Sequence, residues 1–147
     1  MLFAKHMAPD KNGKLEGKNA TPRSQIKSAS KKCGLDQPGT GAPRGKVVAE
    51  LMFGFWSYLT DNLHEKTLWV PALHQAFAPG VDRSALHAAL TDLRDVRNRI
   101  AHHESIFDRG VENHRRRIVY VAANLSTDMK DFIVEKSTVR ELLSARP

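Results

Sequence analysis

The residues best suited to chemistry lie in one short run, residues 97–104, which reads RNRIAHHE. It gathers two guanidinium groups, an amide, two adjacent imidazoles and a carboxylate. An arginine stays charged and can hold phosphate oxygens through its fork of donors, whereas a histidine can give or take a proton near neutral pH. This combination suits the cleavage of a phosphodiester bond.

The same run is expected to lie near the end of an amphipathic helix. Asp82 or Ser84 can cap this helix, and apolar residues then recur at three- and four-residue steps. The predicted buried positions are Leu86, Leu90, Leu93, Val96 and Ile100. The elements around the helix must therefore place its last turn at the surface.

Helical geometry predicts which polar residues of this helix share a face. Arg94, Asn98 and His102 follow at four-residue steps and share a face. Arg97 and His102 differ by about 140° on an ideal helix, so they meet only if the helix ends near Ala101 or if two chains build the site. The second possibility favours a two-fold symmetric dimer.

The charged neighbours of this run also have predicted partners. Asp95 and Arg99 are four residues apart in the favourable order and are predicted to form a surface ion pair. His103 is expected either to pair with Glu104 or to contact the backbone at the helix end.

The remaining elements that must support this helix are also predicted to be helical. A broad apolar stripe predicts a central core helix, formed by Val47, Val48, Leu51, Met52, Phe55, Trp56 and Leu59. Further helices are predicted from Pro71 to Phe77, over residues 111–125, and over residues 128–134 and 137–144. The helix over residues 111–125 is expected to bury Ile118, Val121, Ala122 and Leu125. The fold class expected is an all-α helical bundle.

The net charge of +7 is placed unevenly along the 147 residues. Residues 1–46 contain ten Lys or Arg and three acidic residues, whereas residues 47–147 contain thirteen of each. Residues 1–45 are also rich in Gly and Pro, so we expect a largely flexible basic segment with one short helix at residues 23–32, followed by a helical domain over residues 46–147. Such a segment can attract nucleic acid electrostatically, although a solvated tail is the commoner reading.

The cysteine count and the lengths of the apolar runs constrain the cellular compartment. A single cysteine, Cys33, excludes an intramolecular disulfide, and a reducing cytoplasmic setting fits best. No apolar run approaches the roughly 20 residues of a membrane span, and the first residues do not resemble a secretory signal. We expect a cytoplasmic protein that does not insert into a membrane.

Two segments resemble a known family. The spacing Arg97-Asn98-x3-His102 looks like the signature of HEPN-type ribonucleases. The wider stretch over residues 97–107, RNRIAHHESIF, preceded by VAELMFGFW at residues 48–56, resembles the Abi-like, or abortive infection, branch of that group. The resemblance extends from about Gly45 to the C-terminus. Relatives usually carry further helices where this chain has its basic segment, and often have proline where Ser105 stands.

The resemblance implies a helical bundle that dimerises through the motif helices and cleaves RNA without a metal or other cofactor. Arg97 and His102 would be the catalytic pair, with Asn98 as the polar residue of the motif. His103, Glu104 and Arg94 would support the site. Four further arginines are candidates for RNA contact, namely Arg99, Arg115, Arg116 and Arg117. The partners expected are RNA, a second copy of the chain and a neutralising antitoxin.

Other readings of the same residues remain open. Arg and His near a helix C-terminus also stabilise it by binding free carbonyls. A metal site built from His102, His103, Glu104 and His114 is disfavoured because adjacent histidines seldom point at one ion. The aromatic residues Phe53, Phe55, Trp56, Trp69 and Phe77 could stack on bases, but their helical spacing predicts that most are core. The alternative function is a non-catalytic RNA- or protein-binding dimerisation module, a truncated relic of the enzyme.

Overall fold

The computed structural model describes residues 17–35, 44–106 and 110–145. Seven α-helices are present in these ranges. They are α1 (Gly17–Lys32), α2 (Arg44–Glu50), α3 (Phe53–Tyr58), α4 (Arg83–Ala101), α5 (Val111–Leu125), α6 (Thr127–Lys136) and α7 (Val139–Ser144). Between α3 and α4 lie two 3₁₀ turns, Asn62–His64 and Leu73–Ala76, and one π-helical turn, Glu65–Trp69. The described residues form no strand, and the predicted all-α helical bundle is confirmed.

The chain divides into two compact units, Met1–Leu59 and Thr60–Pro147. In the first unit α1 packs against α2 and α3. Its buried apolar residues include Ala29, Phe55 and Leu59, and Lys32 forms an ion pair with Glu50 at 3.3 Å. The predicted domain boundary after residue 45 stays a prediction. The predicted short helix at residues 23–32 is longer, since α1 begins at Gly17; the flexibility expected of residues 1–16 and 36–43 lies outside the described residues.

The predicted continuous helix over residues 47–59 is wrong, because the chain is extended at Met52 and separates α2 from α3. In an unbroken helix the Leu51 carbonyl would accept the N–H of Phe55. Instead that N–H donates to the Met52 carbonyl at 2.9 Å, and the Trp56 indole donates to Leu51 at 3.3 Å. A glycine at position 54 lowers the helix propensity of this stretch further. The break leaves Met52 58% exposed, although its place in the apolar stripe predicted burial.

In the second unit, α5 is the central helix. It packs against α4 on one side and against α6 and α7 elsewhere on its surface. Thr60 and the start of α4 are joined by two contacts: Arg83 Nη1 donates to the Thr60 carbonyl at 2.8 Å, and Thr60 Oγ1 lies 3.0 Å from His87 Nδ1. The predicted helices over residues 111–125, 128–134 and 137–144 are confirmed with small changes in their ends.

Three burial predictions for the second unit are wrong. Ile100 is 54% exposed, and Ile118 and Leu125 are also exposed, while Ala89 and Ala122 are buried. The buried stripes of these helices are thus narrower than the sequence indicates, and small alanines hold two of their buried positions. The predicted helix from Pro71 to Phe77 is only the 3₁₀ turn Leu73–Ala76. No described helix is both long enough and apolar enough to cross a membrane.

Candidate functional site

Helix α4 carries the candidate site and has a well-defined start. Of the two predicted candidates, Asp82 is the N-cap and Ser84 is not, and Asp82 Oδ1 accepts the N–H groups of Ser84 at 2.6 Å and Ala85 at 3.0 Å. Leu86 and Ala89 are buried and fix the inward face of the helix. The site is thus carried by a rigid, capped and packed element of 19 residues.

The helix ends at Ala101, and its end forms a Schellman motif. The Glu104 N–H donates to the Arg99 carbonyl at 2.9 Å, and the His103 N–H donates to the Ile100 carbonyl at 3.1 Å. These two bonds require a left-handed residue at position 103, and His103 has φ = 57°. His102 is the C-cap, with φ = −96° and ψ = 10°.

This ending meets one of the two conditions expected for Arg97 and His102 to act together, namely that the helix ends near Ala101. The 140° separation applies only while both residues belong to the same ideal helix. His102 is the first residue beyond the helix, and its N–H still donates to the Asn98 carbonyl at 3.0 Å, so both residues belong to the same end of α4. Both residues are exposed.

The side-chain contacts of the motif are local. Arg97 Nη1 donates to Oδ1 of its neighbour Asn98 at 3.3 Å. Among the described residues, no hydrogen bond joins Arg97 to His102. The structure therefore brings together the guanidinium of Arg97 and the amide of Asn98, and leaves the His102 imidazole exposed at the adjacent helix end.

The predicted ion pair between Asp95 and Arg99 is wrong. Asp95 instead accepts from Arg94, with Nη2 to Oδ1 at 3.1 Å. Arg99 pairs with Glu104 at 3.2 Å, reinforcing the Schellman turn. The pairing of His103 with Glu104 is therefore not observed, and it is the His103 backbone N–H, not its side chain, that contacts the helix end.

The arginine run at residues 115–117 is largely engaged within the protein. Glu112 accepts from Arg115 at 2.7 and 2.8 Å, and its Oε1 also lies 3.4 Å from both Arg116 and Arg140. The hydrogen bonds from Arg115, joined by the charges of Arg115 and Arg140, lower the pKa of Glu112 to about 2, although partial burial alone would raise it. We call this group of four residues the Glu112 cluster.

A second polar contact, between α4 and α5, was not predicted from the sequence. His114 is 8% exposed, and its Nδ1 lies 2.6 Å from Asp92 Oδ2, which also pairs with Arg117. Burial alone would raise the pKa of Asp92, but hydrogen bonds from Arg117 and His114 outweigh that effect and lower it. The sequence does hold a signal: both residues occupy apolar-stripe positions, Asp92 one turn before Val96 and His114 one turn before Ile118.

The structure also bears on the two alternative interpretations, a metal site and aromatic stacking on bases. Within residues 17–35, 44–106 and 110–145 no group of three His, Cys, Asp or Glu side chains could hold a metal ion. His114 is paired with Asp92 and so belongs to the helix interface. Of the aromatic residues, Phe55 and Trp69 are buried as expected, whereas Phe53 and Trp56 are partly exposed.

A shallow pocket of about 310 Å³ lies beside Trp69. It is lined by apolar side chains and by His74, whose Nδ1 lies 3.0 Å from the Trp69 carbonyl. Since a carbonyl only accepts, Nδ1 carries the proton in this contact. The tilted Phe77 ring packs on Trp69 with centroids 5.5 Å apart.

Compared with known proteins, the chain matches no family model, no curated protein and no solved structure. The functional argument therefore rests on the residues and geometry of this chain.

Proposed function

We propose that the protein is a metal-independent endoribonuclease of the HEPN type, acting in an abortive-infection or toxin–antitoxin system in the cytoplasm. The observation that carries the proposal is the end of α4. Arg97, Asn98 and His102 are all exposed there, and the helix ends one residue before His102. An exposed guanidinium and an exposed imidazole at one helix end are the groups that cleavage of a phosphodiester needs.

The chemistry follows from the substrate. RNA carries its own nucleophile, the 2′-hydroxyl, which attacks the adjacent phosphorus as the bond to the 5′-oxygen breaks. His102 transfers the proton, Arg97 neutralises the phosphoryl oxygens, and Asn98 orients the Arg97 guanidinium through their shared hydrogen bond. The products are a 2′,3′-cyclic phosphate and a 5′-hydroxyl.

The surface around the motif supports the proposed homodimer. Ile100 lies between the catalytic residues in sequence and is more than half exposed, which is unusual for a residue in an apolar helical stripe. A second copy of α4 packed against this turn would bury Ile100.

Arg94 and Glu104 support the site through their own ion pairs. Further candidates for phosphate contact lie on helices α4 and α5, namely Arg99, Arg116 and Arg117. A neutralising antitoxin remains part of the proposal.

The test is cleavage of mixed cellular RNA by the purified full chain in EDTA. We expect wild type to produce cyclic-phosphate ends, and His102→Ala and Arg97→Ala each to lower the rate by about 10² to 10⁴. Lys66→Ala, an exposed residue of the same unit, is the control for the loss of a surface charge and should cleave as wild type. Equal, low background from all four folded proteins would contradict the proposal and favour the non-catalytic dimerisation module.

A further inference from the structure

The unusual backbone in this site belongs to His103. Four described residues have positive φ, namely Gly34, Gly80, Gly110 and His103. The chain thus uses glycine at three left-handed positions and a side chain at the fourth. A left-handed conformation costs histidine more than glycine, although His and Asn adopt it more often than other residues with a Cβ, and glycine is the usual residue at this position of a Schellman motif.

Nothing within the described protein compensates for that cost. The His103 side chain forms no hydrogen bond or ion pair with the described residues, and it is exposed. Glu104, its nearest carboxylate in sequence, pairs with Arg99 instead. The backbone bonds of the turn would form equally well with glycine. A costly side chain without an internal partner points to a contact outside the chain.

The position of this imidazole suggests what the contact is. His102 and His103 both follow the last helical residue, so two adjacent imidazoles lie at the helix end where Arg97 is exposed. Attack by the 2′-hydroxyl needs one group to accept its proton and another to give a proton to the departing 5′-oxygen. One imidazole can do both only in succession, by giving to the 5′-oxygen the proton that it took from the 2′-hydroxyl, whereas two imidazoles can act at the same time.

We infer that His103 is the second proton-transfer residue of the site, acting together with His102; this inference rests on the proposed ribonuclease function. One imidazole takes the 2′-hydroxyl proton while the oxygen–phosphorus bond forms. The other, protonated, gives its proton to the 5′-oxygen while the old phosphorus–oxygen bond breaks. One proton is taken and one is given, so the step balances without another reactant.

The decisive variant is His103→Gly, because the structure predicts that it separates stability from activity. The glycine relieves the left-handed backbone, so the midpoint of urea unfolding should rise. The kcat for RNA cleavage should fall by about 10² to 10⁴, with little change in KM. The pH–rate profile should change from bell-shaped in wild type to a curve that has lost one limb.

Two further variants complete the experiment. His103→Asn tolerates the left-handed backbone but cannot transfer a proton in this way, so it should lose activity as His103→Gly does while remaining folded. Ser105→Ala, just beyond the turn, should retain wild-type kcat.

The outcomes are distinguishable. The inference would be overturned if His103→Gly kept the full wild-type kcat. It would also be overturned if His103→Gly only raised KM and kept both limbs of the pH–rate profile. Either result would leave the ribonuclease function intact. Absence of cleavage by wild type would overturn the proposed function and this inference with it.

Discussion

At the scale of single residues, the Glu112 carboxylate has an unusual number of partners. It receives hydrogen bonds from Arg115 and Arg116 on its own helix and from Arg140 on α7. Arg115 and Arg116 were candidates for RNA contact, but in the folded chain their charges are partly balanced by this carboxylate. Arg117 similarly pairs with Asp92. The arginine run therefore has a structural role irrespective of any RNA.

The Glu112 cluster predicts an acid dependence of stability. Because the pKa of Glu112 falls from 4.5 to about 2 on folding, its contribution is fully present above pH 4.5 and is lost as the pH falls toward 2. Glu112→Gln should therefore be less stable than wild type at pH 7, and the difference should narrow between about pH 4.5 and 2. Urea unfolding of both proteins at a series of pH values measures this difference in stability.

Glu135→Gln is the matched control for this prediction. Glu135 pairs with its neighbour Lys136 on the exposed surface of α6, and such pairs contribute roughly 0 to 1 kcal/mol. It should change stability less than Glu112→Gln at pH 7. A Glu112→Gln protein that is as stable as wild type across this pH range would show that the cluster does not stabilise the fold.

At the scale of elements, α4 depends on the cap that begins it. Asp82→Ala removes the acceptor for two backbone N–H groups and should lower the free energy of unfolding by about 1 kcal/mol. Asp82→Ser keeps a capping oxygen and should stay close to wild type. Urea denaturation of both variants is the measurement, and equal stability of the two would contradict the assigned role of the cap.

The elements also show what the sequence could predict. The cap at Asp82 was predictable, as one of two candidates, because a capping residue precedes an apolar-periodic run there, and the helix over residues 111–125 was predictable from its periodicity alone. The break at Met52 was not, because it depends on the Trp56 indole taking the Leu51 carbonyl, and no local propensity encodes that competition. Periodicity likewise placed Ile100 inward, although the helix ends one residue later and its last turn extends beyond the packed interface.

Within the candidate site, the sequence predicted which residues share the end of α4 but not how they are paired. The spacing of Asp95 and Arg99 favoured an ion pair, yet Arg99 contacts Glu104 because the Schellman turn folds that residue back toward it. The contact between Asp92 and His114 joins two helices, so only tertiary packing could determine it.

At the scale of the whole molecule, charge and candidate chemistry lie in different parts of the sequence. Residues 47–147 contain equal numbers of basic and acidic residues, whereas the excess charge belongs to residues 1–46. All candidate catalytic residues belong to the second unit, Thr60–Pro147. In the proposed ribonuclease, electrostatic attraction of RNA and its cleavage would thus be properties of different segments of the chain.

The proposed assembly is also a whole-molecule property. We expect the purified chain to sediment at about twice its 16.4 kDa mass, and Ile100→Glu to sediment as a monomer because a buried charge at the two-fold contact is costly. Analytical ultracentrifugation measures both. Val70→Glu alters another exposed apolar residue of the same unit and should leave the dimer intact. A dimeric Ile100→Glu protein would exclude this turn from the interface.

The π-helical turn at Glu65–Trp69 contains one residue more than an α turn, so it has the form of a helix that has accommodated an inserted residue. Deleting one residue there would leave an α turn, because the bond from the Val70 N–H to the Glu65 carbonyl would then span four residues instead of five. The two ends of the turn would keep their places, so Trp69 would stay beside Phe77 and its carbonyl near His74. A deletion inside α4 would instead rotate every later residue of that helix, the candidate site included, by about 100°. Evolution can therefore shorten this turn more readily than it can shorten α4.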